Sequence, residues 1–568
     1  MRVPSAPPGA LAVLSFALPL LIGLLAYSST LSFDFVWDDH HLVVTNTLLR
    51  QPSLIHVLTS DFWQEGERTD FYRPLVSLSY FGEFRLWGLV PTGYHAANLA
   101  WHLLAVAAVS WAGLILFGSV FAAAVSGMIF AAHPVHSEPV AFIAGRSDLM
   151  AGALVVNAVC LYLRGRQRSS VLLFGGALLS KETAVILPLL LLLADRLVTE
   201  PRDGWTAAVS RLRPFLVLAG SYLALRWMVL GAPVARGVDG TPMAARLVIA
   251  LNTLGDYLQL AVLPVPAIPD RIPDSIPSGH TLATALVLVV LLALAWVARH
   301  VSPVPLFLLG WFLLTLVPVS PLVPGQPPRI AERYLYLPSA AVAWFAGWAV
   351  AALAKTRPGR APVVRLAGAG LVAALVLGAL GATVSRAEDW RDDESLFTRM
   401  AAAEPRSYLA AVNLGYIHLH RGHLDRAEAL FRRALSLRAN APAAWLGLAV
   451  ARSRAGDHDR AIAYGLRARA LSPEGDLVHA QLGVIYGIAG HYAEAVASFR
   501  EAIRRNPRRL HPRAHLALAL ADAGEPAHAV RALQDAERVI AGQRAPHPAD
   551  VTTLARARGR LRAASRPE

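Results

Sequence analysis

The chain has 568 residues, 55% of them apolar and only 16% charged, a balance that excludes an ordinary single-domain soluble protein and points to a membrane protein. Its formal net charge of +14 rests almost wholly on arginine, because Lys181 and Lys355 are the only lysines. Much of that arginine falls in loops and on repeat helices, where it reads as a solvated face rather than as a surface for nucleic acid. The single cysteine, Cys160, excludes an intrachain disulfide.

Apolar runs of roughly 20 residues recur until about residue 384 and then stop. The first covers residues 9–29, with only Arg2 charged ahead of it; it is longer than a usual signal core and more runs follow, so we read it as a retained helix. A polar loop comes next. It carries FVWDDHH, with Asp38 and Asp39 beside His40 and His41, and then DFWQEGERTDFYRPLVSLSYF, whose mix of aromatics and charge reads as an interfacial helix. Further spans are expected near 96–117, 119–132, 149–163, 170–180, 183–194, 213–230, 282–299, 304–322, 334–353 and 364–384. The two short ones meeting at Lys181 read as a hairpin whose tip needs protein around it. The run 246–263 carries Asn252, Asp256 and Gln259 at helical spacing and is placed at the membrane interface.

These runs give about 11 spans. Arg164, Arg166, Arg168, the arginines from Arg196 to Arg213, Arg299, and the stretch from Lys355 to Arg365 then fall on one side, which the positive-inside rule makes cytoplasmic. The opposite side receives Asp38, Asp39, the cluster from His133 to Asp148, Lys181, Glu332, Arg333 and the C-terminal part. Every conspicuous polar cluster is therefore expected on one face.

From Tyr408 onward the chain repeats every 34 residues: Gly422, Gly456, Gly490 and Gly524 keep that spacing, as do Ala427, Ala461, Ala495 and Ala529. Phe431 and Phe499 fill matching large positions and Leu533 a third, while Gly465 departs from the pattern. This is the tetratricopeptide pattern, in which a small alanine lets paired helices approach and glycine makes the turn. Stacked units form a groove for peptides or other extended partners. The expected layout is 1–386 for the membrane part, 387–545 for about four repeats, and 546–568 as a basic, frayed tail.

The sequence has no Walker loop, so ATP hydrolysis is unsupported. An enzyme facing outward from a membrane needs a donor already activated and already in the bilayer, and a sugar on a lipid phosphate meets both needs. Transfer then requires a carboxylate base and cations on the phosphate leaving group. Asp38 or Asp39 could be the base, and Arg146, Lys181 and Arg333 could hold phosphate. The bland alternatives are an acidic pair that anchors a loop and cations that snorkel. His133, His136 and Glu138 form H-x-x-H-x-E around Pro134. A divalent metal there, with His40 or His41, is one reading; a hydrogen-bonded network steadying the aspartates is the preferred one. We therefore count no metal site, and place His40, Arg73, His133, His136, Glu138, Asp148 and Glu332 in supporting roles. His95 and His102 read as packing residues.

Six motifs in order, FVWDDHHLVVTN, YRPLVSLSYF, GYHAANLAWHLL, AHPVHSEPVAFIAGRSDLMAG, LLSKETAVILP and AERYLYLPS, followed by the repeats, resemble the transmembrane and tetratricopeptide-repeat O-mannosyltransferases. The resemblance implies an all-α chain: a GT-C-type polytopic helical domain, whose first non-cytoplasmic loop carries the catalytic aspartate, followed by a soluble α-solenoid. It also implies a polyprenyl-phosphate sugar donor, dolichyl phosphate mannose in eukaryotic members. The motifs carry Asp38 and Asp39 onto the acidic pair, and Arg146, Lys181 and Arg333 onto the basic positions near the lipid phosphate. The array is shorter than in eukaryotic members and the composition is arginine-rich, so a bacterial inner-membrane relative is expected, N-terminus cytoplasmic and repeats periplasmic. The expected activity is inverting transfer of a sugar, mannose first, to a Ser/Thr hydroxyl of an acceptor protein or peptide that the repeat groove could bind. The alternatives are a lipid or polysaccharide acceptor, or a non-enzymatic scaffold for envelope assembly.

Overall fold

A computed structural model describes residues 9–50, 53–63, 71–199, 204–231, 241–263, 278–323, 330–354, 361–507, 509–541 and 548–564. Arg2, Lys355 and residues 64–70 of the expected interfacial stretch lie outside them. Every regular element among the described residues is a helix.

Among the described residues six helices are long and apolar enough to cross a membrane: Ser15–Ser32, Pro91–Phe117, Ile143–Leu163, Trp205–Leu230, Gly279–Ala298 and Leu366–Trp390. A seventh results if Val120–Ala131 and Pro134–Ala141, bent by 52°, count as one span. The expected eleven are thus not found among the described residues. Each remaining run is a short helix: Gln167–Ser180, Leu187–Leu197, Val304–Leu316 and Ser339–Ala354 have 14, 11, 13 and 16 residues. At 1.5 Å per residue they fall short of the roughly 30 Å of hydrocarbon. A hydropathy count sees the apolar run and misses the break inside it. The breaks themselves carry the polar segments. The chain leaves one helix at Ala131 into His133–Asp148, passes extended through Lys181 (φ −159°, ψ 133°) between two others, and enters Ser339–Ala354 through Glu332 and Arg333.

Small residues let these helices close around that interior. A methyl group on Gly127 would overlap Ser110 and Pro19, and one on Gly347 would overlap Ser126, so four helices touch nearly backbone to backbone. The helix Met243–Val262 splits its expected polar stripe: Asn252 and Asp256 are buried, while Gln259 is exposed. Asn252 Oδ1 accepts a 2.7 Å hydrogen bond from Thr281 on the next helix, which satisfies the amide within protein. Of the expected interfacial stretch 61–81, residues 74–81 lie in the helix Pro74–Trp87, whose first residue is a proline with no N–H to leave unpaired in the first turn and which buries Val76, Tyr80 and Phe84.

After Ala361–Ala387 the chain makes a short turn at Glu388–Trp390 and then runs in antiparallel helix pairs. Trp390, Leu396, Phe397, Met400 and Ala410 belong to the same hydrophobic core as the apolar helices, so the first helices of the C-terminal part are continuous with the membrane part. Ala427, Ala461, Ala495 and Ala529 are fully buried, and the four turn glycines adopt φ of 77–83°, the left-handed region that a side chain disfavours. At Gly465 the space of the missing phenylalanine is taken by Leu482, which a Cβ there would meet at 2.7 Å. Residues 548–564, expected within a frayed tail, instead form the helix Pro548–Ala564, which buries Leu554 and Ala557 against the last pair and covers its apolar end.

Candidate active site

The breaks converge on a cavity of about 440 Å³ whose charged lining is Asp38, Arg73, Asp148, Lys181, Glu182 and Arg333. Aromatic rings of Trp37, Phe62, Trp63, Phe71, Phe142 and Tyr334 complete much of the wall, and Leu409, from the first repeat helix, reaches it from the other half. A narrower recess continues from it past Asp148, Lys181 and Arg333 between Val155, Thr315 and Leu337.

Each cation in the lining is held by a carboxylate. Lys181 Nζ donates to Asp148 Oδ1 at 2.5 Å, using one of its three N–H groups. The Arg333 backbone N–H donates to Glu138 Oε2 at 3.0 Å and its Nη1 to Glu138 Oε1, which leaves Nε and Nη2 without a protein acceptor among the described residues. Both cations stand 5.2 Å from the centroid of the same Tyr334 ring. Arg73 is more fully engaged: Nε and Nη2 fork onto Glu182 at 3.1 and 2.7 Å, and Nη1 reaches Ser147 at 3.3 Å. Burial alone would raise the Glu182 pKa, yet the Arg73 charge and fork hold the carboxyl well below its ordinary range, at about 2. Asp148 Oδ2 is buried without a hydrogen-bond partner.

The two aspartates part company. Asp38 is partly buried and lines the cavity. Asp39 is fully buried and does not: its Oδ2 accepts the Val36 N–H at 3.0 Å and its Oδ1 the Ala144 N–H at 2.8 Å. Burial pushes its carboxyl up to about 8, against the pull of those two amides. Asp39 therefore fastens the loop, and Asp38 is what the loop presents.

Arg146, expected at the phosphate, is not in the lining. Its guanidinium is fully buried and spoken for, with Nε donating to Asn98 Oδ1 at 2.7 Å, Nη2 to the Tyr94 carbonyl at 2.7 Å, and Nη1 to Glu83 and to Ser79 at 3.2 Å. It locks three helices together behind the cavity.

The H-x-x-H-x-E set disperses in the same way. His133 Nε2 donates to the Ala261 carbonyl at 3.1 Å while its Nδ1 accepts from Val135, His136 Nε2 donates to Ser339 Oγ at 2.8 Å, and Glu138 serves Arg333. Among the described residues no group of three His, Cys, Asp or Glu side chains is placed to hold a metal. Glu332 pairs with Arg386. His95 meets the Asp34 carbonyl at 3.4 Å, and His102 packs edge-on to Tyr27 and bonds Tyr336 at 3.0 Å, both inside the core.

Two contributors are absent from the sequence reading. Trp37 has φ +52°, the only positive value at a non-glycine among the described residues, and it stacks on Phe142 (5.8 Å, 13°). Asp393 bonds both the Trp37 N–H and His40, each at 2.8 Å. Nothing local to residue 393 signals this, because its partners lie more than 350 residues earlier.

These features define a helical protein with membrane-spanning candidates, a buried charged cavity at their broken ends, and tetratricopeptide repeats. Family models described as tetratricopeptide repeat match residues 380–442, 421–476 and 478–509. The chain has homologues among proteins named protein O-mannosyl-transferase. It is 34% identical over 149 residues to TMTC2 of Homo sapiens, a match covering 25% of this chain and 18% of that protein. It is 25% identical over 437 residues to F38B6.6 of Caenorhabditis elegans, covering 70% of this chain and 59% of that one. The chain thus spans less than two thirds of the length of these relatives, and under a fifth of the vertebrate one. The crystal structure of MamA aligns with 25% of this chain and 78% of its own at 20% identity, with a TM-score of 0.23.

Proposed function

We propose that the chain is a membrane glycosyltransferase that moves a sugar, mannose as the first candidate, from a polyprenyl-phosphate donor to a hydroxyl of an acceptor, with a protein Ser/Thr side chain favoured. The observation that carries the reading is the cavity itself, where a carboxylate, Asp38, shares one space with Lys181 and Arg333, two cations that keep unused N–H donors. The homologues' printed names support the class of reaction and the protein acceptor.

In this reading the lipid phosphate lies between Lys181 and Arg333, whose charges stabilise it as it leaves. Asp38 takes the proton of the acceptor hydroxyl as its oxygen attacks the anomeric carbon. The carbon–oxygen bond to the phosphate breaks on the opposite side, so one displacement inverts the configuration. The negative charge leaves on the lipid phosphate, and no metal step is required of the residues present. Arg73 and Glu182 hold the wall in shape, and Asp148 steadies Lys181. The arginine bias supports a cytoplasmic N-terminus and an outward-facing cavity, with a bacterial inner membrane as the setting. The repeat groove is the proposed docking surface for the acceptor.

The test is transfer by the full chain in detergent from polyprenyl-phosphate mannose to a Ser/Thr-rich peptide. Asp38→Asn is expected to lower kcat by about 10²–10⁴-fold, the range of a general base. Lys181→Ala is expected to lower it by about 10²-fold or more. Wild-type rates in both variants at equal folded protein would sink the site; transfer with retained configuration would sink the single displacement.

A further inference from the structure

We propose that Asp393 is a positioning residue for Asp38, so that the first helix of the C-terminal part, Asp393–Ala403, is a working component of the transfer site. The inference rests on the transfer reading for what Asp38 does.

Asp38 sits in a stretch that does not hold its own shape. Trp37, immediately before it, occupies the left-handed region at φ +52°, which is strained for a bulky L-residue and persists only where the surroundings over-determine it. The Asp39 carboxyl group supplies part of the restraint through Val36 and Ala144. Asp393 supplies the rest, and from both sides. Its Oδ1 accepts the Trp37 N–H at 2.8 Å and its Oδ2 accepts from His40 Nε2 at 2.8 Å, so one carboxylate spans the Asp38–Asp39 dipeptide.

This is not a helix cap put to incidental use. The helix Asp393–Ala403 is capped by Asp392, whose Oδ1 takes the Ser395 N–H at 2.8 Å, so Asp393 is free of that duty. The contact is also reinforced around it. The Asp34 N–H donates to the Arg391 carbonyl at 3.0 Å, and Phe397 meets Trp37 edge-on at 6.2 Å. Phe142 is stacked between Trp37 and Trp390, at 5.8 and 5.0 Å. The loop that presents Asp38 is thus built jointly by residues 33–46, 142–144 and 390–397, and only the last belongs to the C-terminal part.

The titratable groups that face His40 are Asp393 across the contact, with Asp34 and Asp39 from its own segment; the hydrogen bond and charge of Asp393 favour the imidazolium most and raise its pKa. In wild type a protonated His40 therefore keeps its acceptor. With asparagine at 393 the amide oxygen stays with Trp37 and the NH₂ group faces His40. That arrangement suits a neutral imidazole and opposes a charged one.

The experiment uses the full chain in detergent, with Asp393→Ala and Asp393→Asn, and reads both transfer kinetics and amide hydrogen exchange over residues 33–46. Asp393→Ala is expected to lower kcat about 10²-fold, the scale of a misplaced reacting group, with the donor KM within about threefold, because Lys181 and Arg333 are untouched. It is also expected to speed exchange at Trp37 and its neighbours. Asp393→Asn, which keeps one bond, serves if the alanine variant does not fold. Its kcat relative to wild type is expected to fall as pH drops through the His40 titration, whereas a purely structural loss would be the same at every pH. Wild-type kcat in Asp393→Ala, unchanged exchange, or a flat kcat ratio for Asp393→Asn would each overturn the proposal. If the wild type transfers from no donor offered, the transfer reading falls, and the exchange measurement still decides whether Asp393 sets the loop.

Discussion

Along the repeats, Arg432 pairs with Glu428 and Arg504 with Glu501 within single exposed helix faces. Between the apolar helices, Arg146 meets Glu83 and Lys181 meets Asp148 with at most a tenth of any of these side chains exposed. The chemistry of the pairs is the same and the surroundings are opposite. In water an ion pair exchanges one good environment for another and contributes little. In a dry interior each charge has already lost its hydration, so its partner becomes obligatory. A buried charge is therefore retained either because it locks the structure or because something binds to it. Arg146, with every nitrogen engaged, is the first kind; Lys181 and Arg333, with donors to spare at the edge of a cavity, are the second.

The largest effect expected from that contrast is at Arg146. Arg146→Ala leaves Glu83 buried without its cation and strips Asn98 and the Tyr94 carbonyl of a donor, at a cost of about 3–5 kcal/mol. Typical net stabilities are only about 5–15 kcal/mol, so a large fall in melting temperature, or no monodisperse protein, should result. Removing both partners by Arg146→Met with Glu83→Leu should recover much of the loss. A double variant worse than the single one would show that the pair does more than satisfy itself.

A second effect separates the adjacent aspartates. The Asp39 carboxyl is raised by burial from an ordinary 3.8 to about 8, so the folded protein keeps a proton that the unfolded chain has lost. The unfolded state binds fewer protons in that window, and stability from this group is full below about pH 4 and lost as pH rises through 8. The melting-temperature advantage of wild type over Asp39→Asn should accordingly shrink between pH 5 and pH 8. Parallel melting curves across that range would mean that the two amides keep Asp39 ionised after all. Asp38→Asn, at the cavity surface, should show no such pH-dependent change in the melt while lowering transfer about 10²–10⁴-fold.

That pair also marks how far the residues could be read in order. Charges embedded in apolar runs are conspicuous, and for that reason Lys181, Asp148, Arg333 and the acidic pair stand out before any geometry is known. What the string does not hold is where their hydrogen bonds go. Asp38 and Asp39 are neighbours of one type, and it is the fold that separates them, burying Asp39 on the Val36 and Ala144 amides and setting Asp38 in the cavity wall. Arg146 stands out by the same rule as Lys181 and turns out to be a lock. Asp393 does not stand out at all, being one acid among many at a helix start. The helices divide likewise. The repeats are legible because a 34-residue period states each packing rule four times, down to the fully buried alanines. The spans are overcounted because a run such as 170–194 reads as two crossings, when Lys181 halts the helix between them and turns the polar backbone into the cavity.

The smallest expected effect lies back in the repeats, and it tests the comparison most directly. Arg432→Ala removes a bond of 2.8 Å to Glu428, a contact as short as many in the core. Glu428 keeps Arg452 on the same Oε1. The loss should be about 0.5 kcal/mol or less, barely visible as a shift in the melt. Ala461→Leu, a few turns away, carries no charge but forces three extra carbons into a fully buried seam between paired helices. It should cost about 1–3 kcal/mol. If the arginine variant proves the more damaging of the two, surroundings do not govern these pairs, and Arg146 and Lys181 lose the argument that divides them into lock and site.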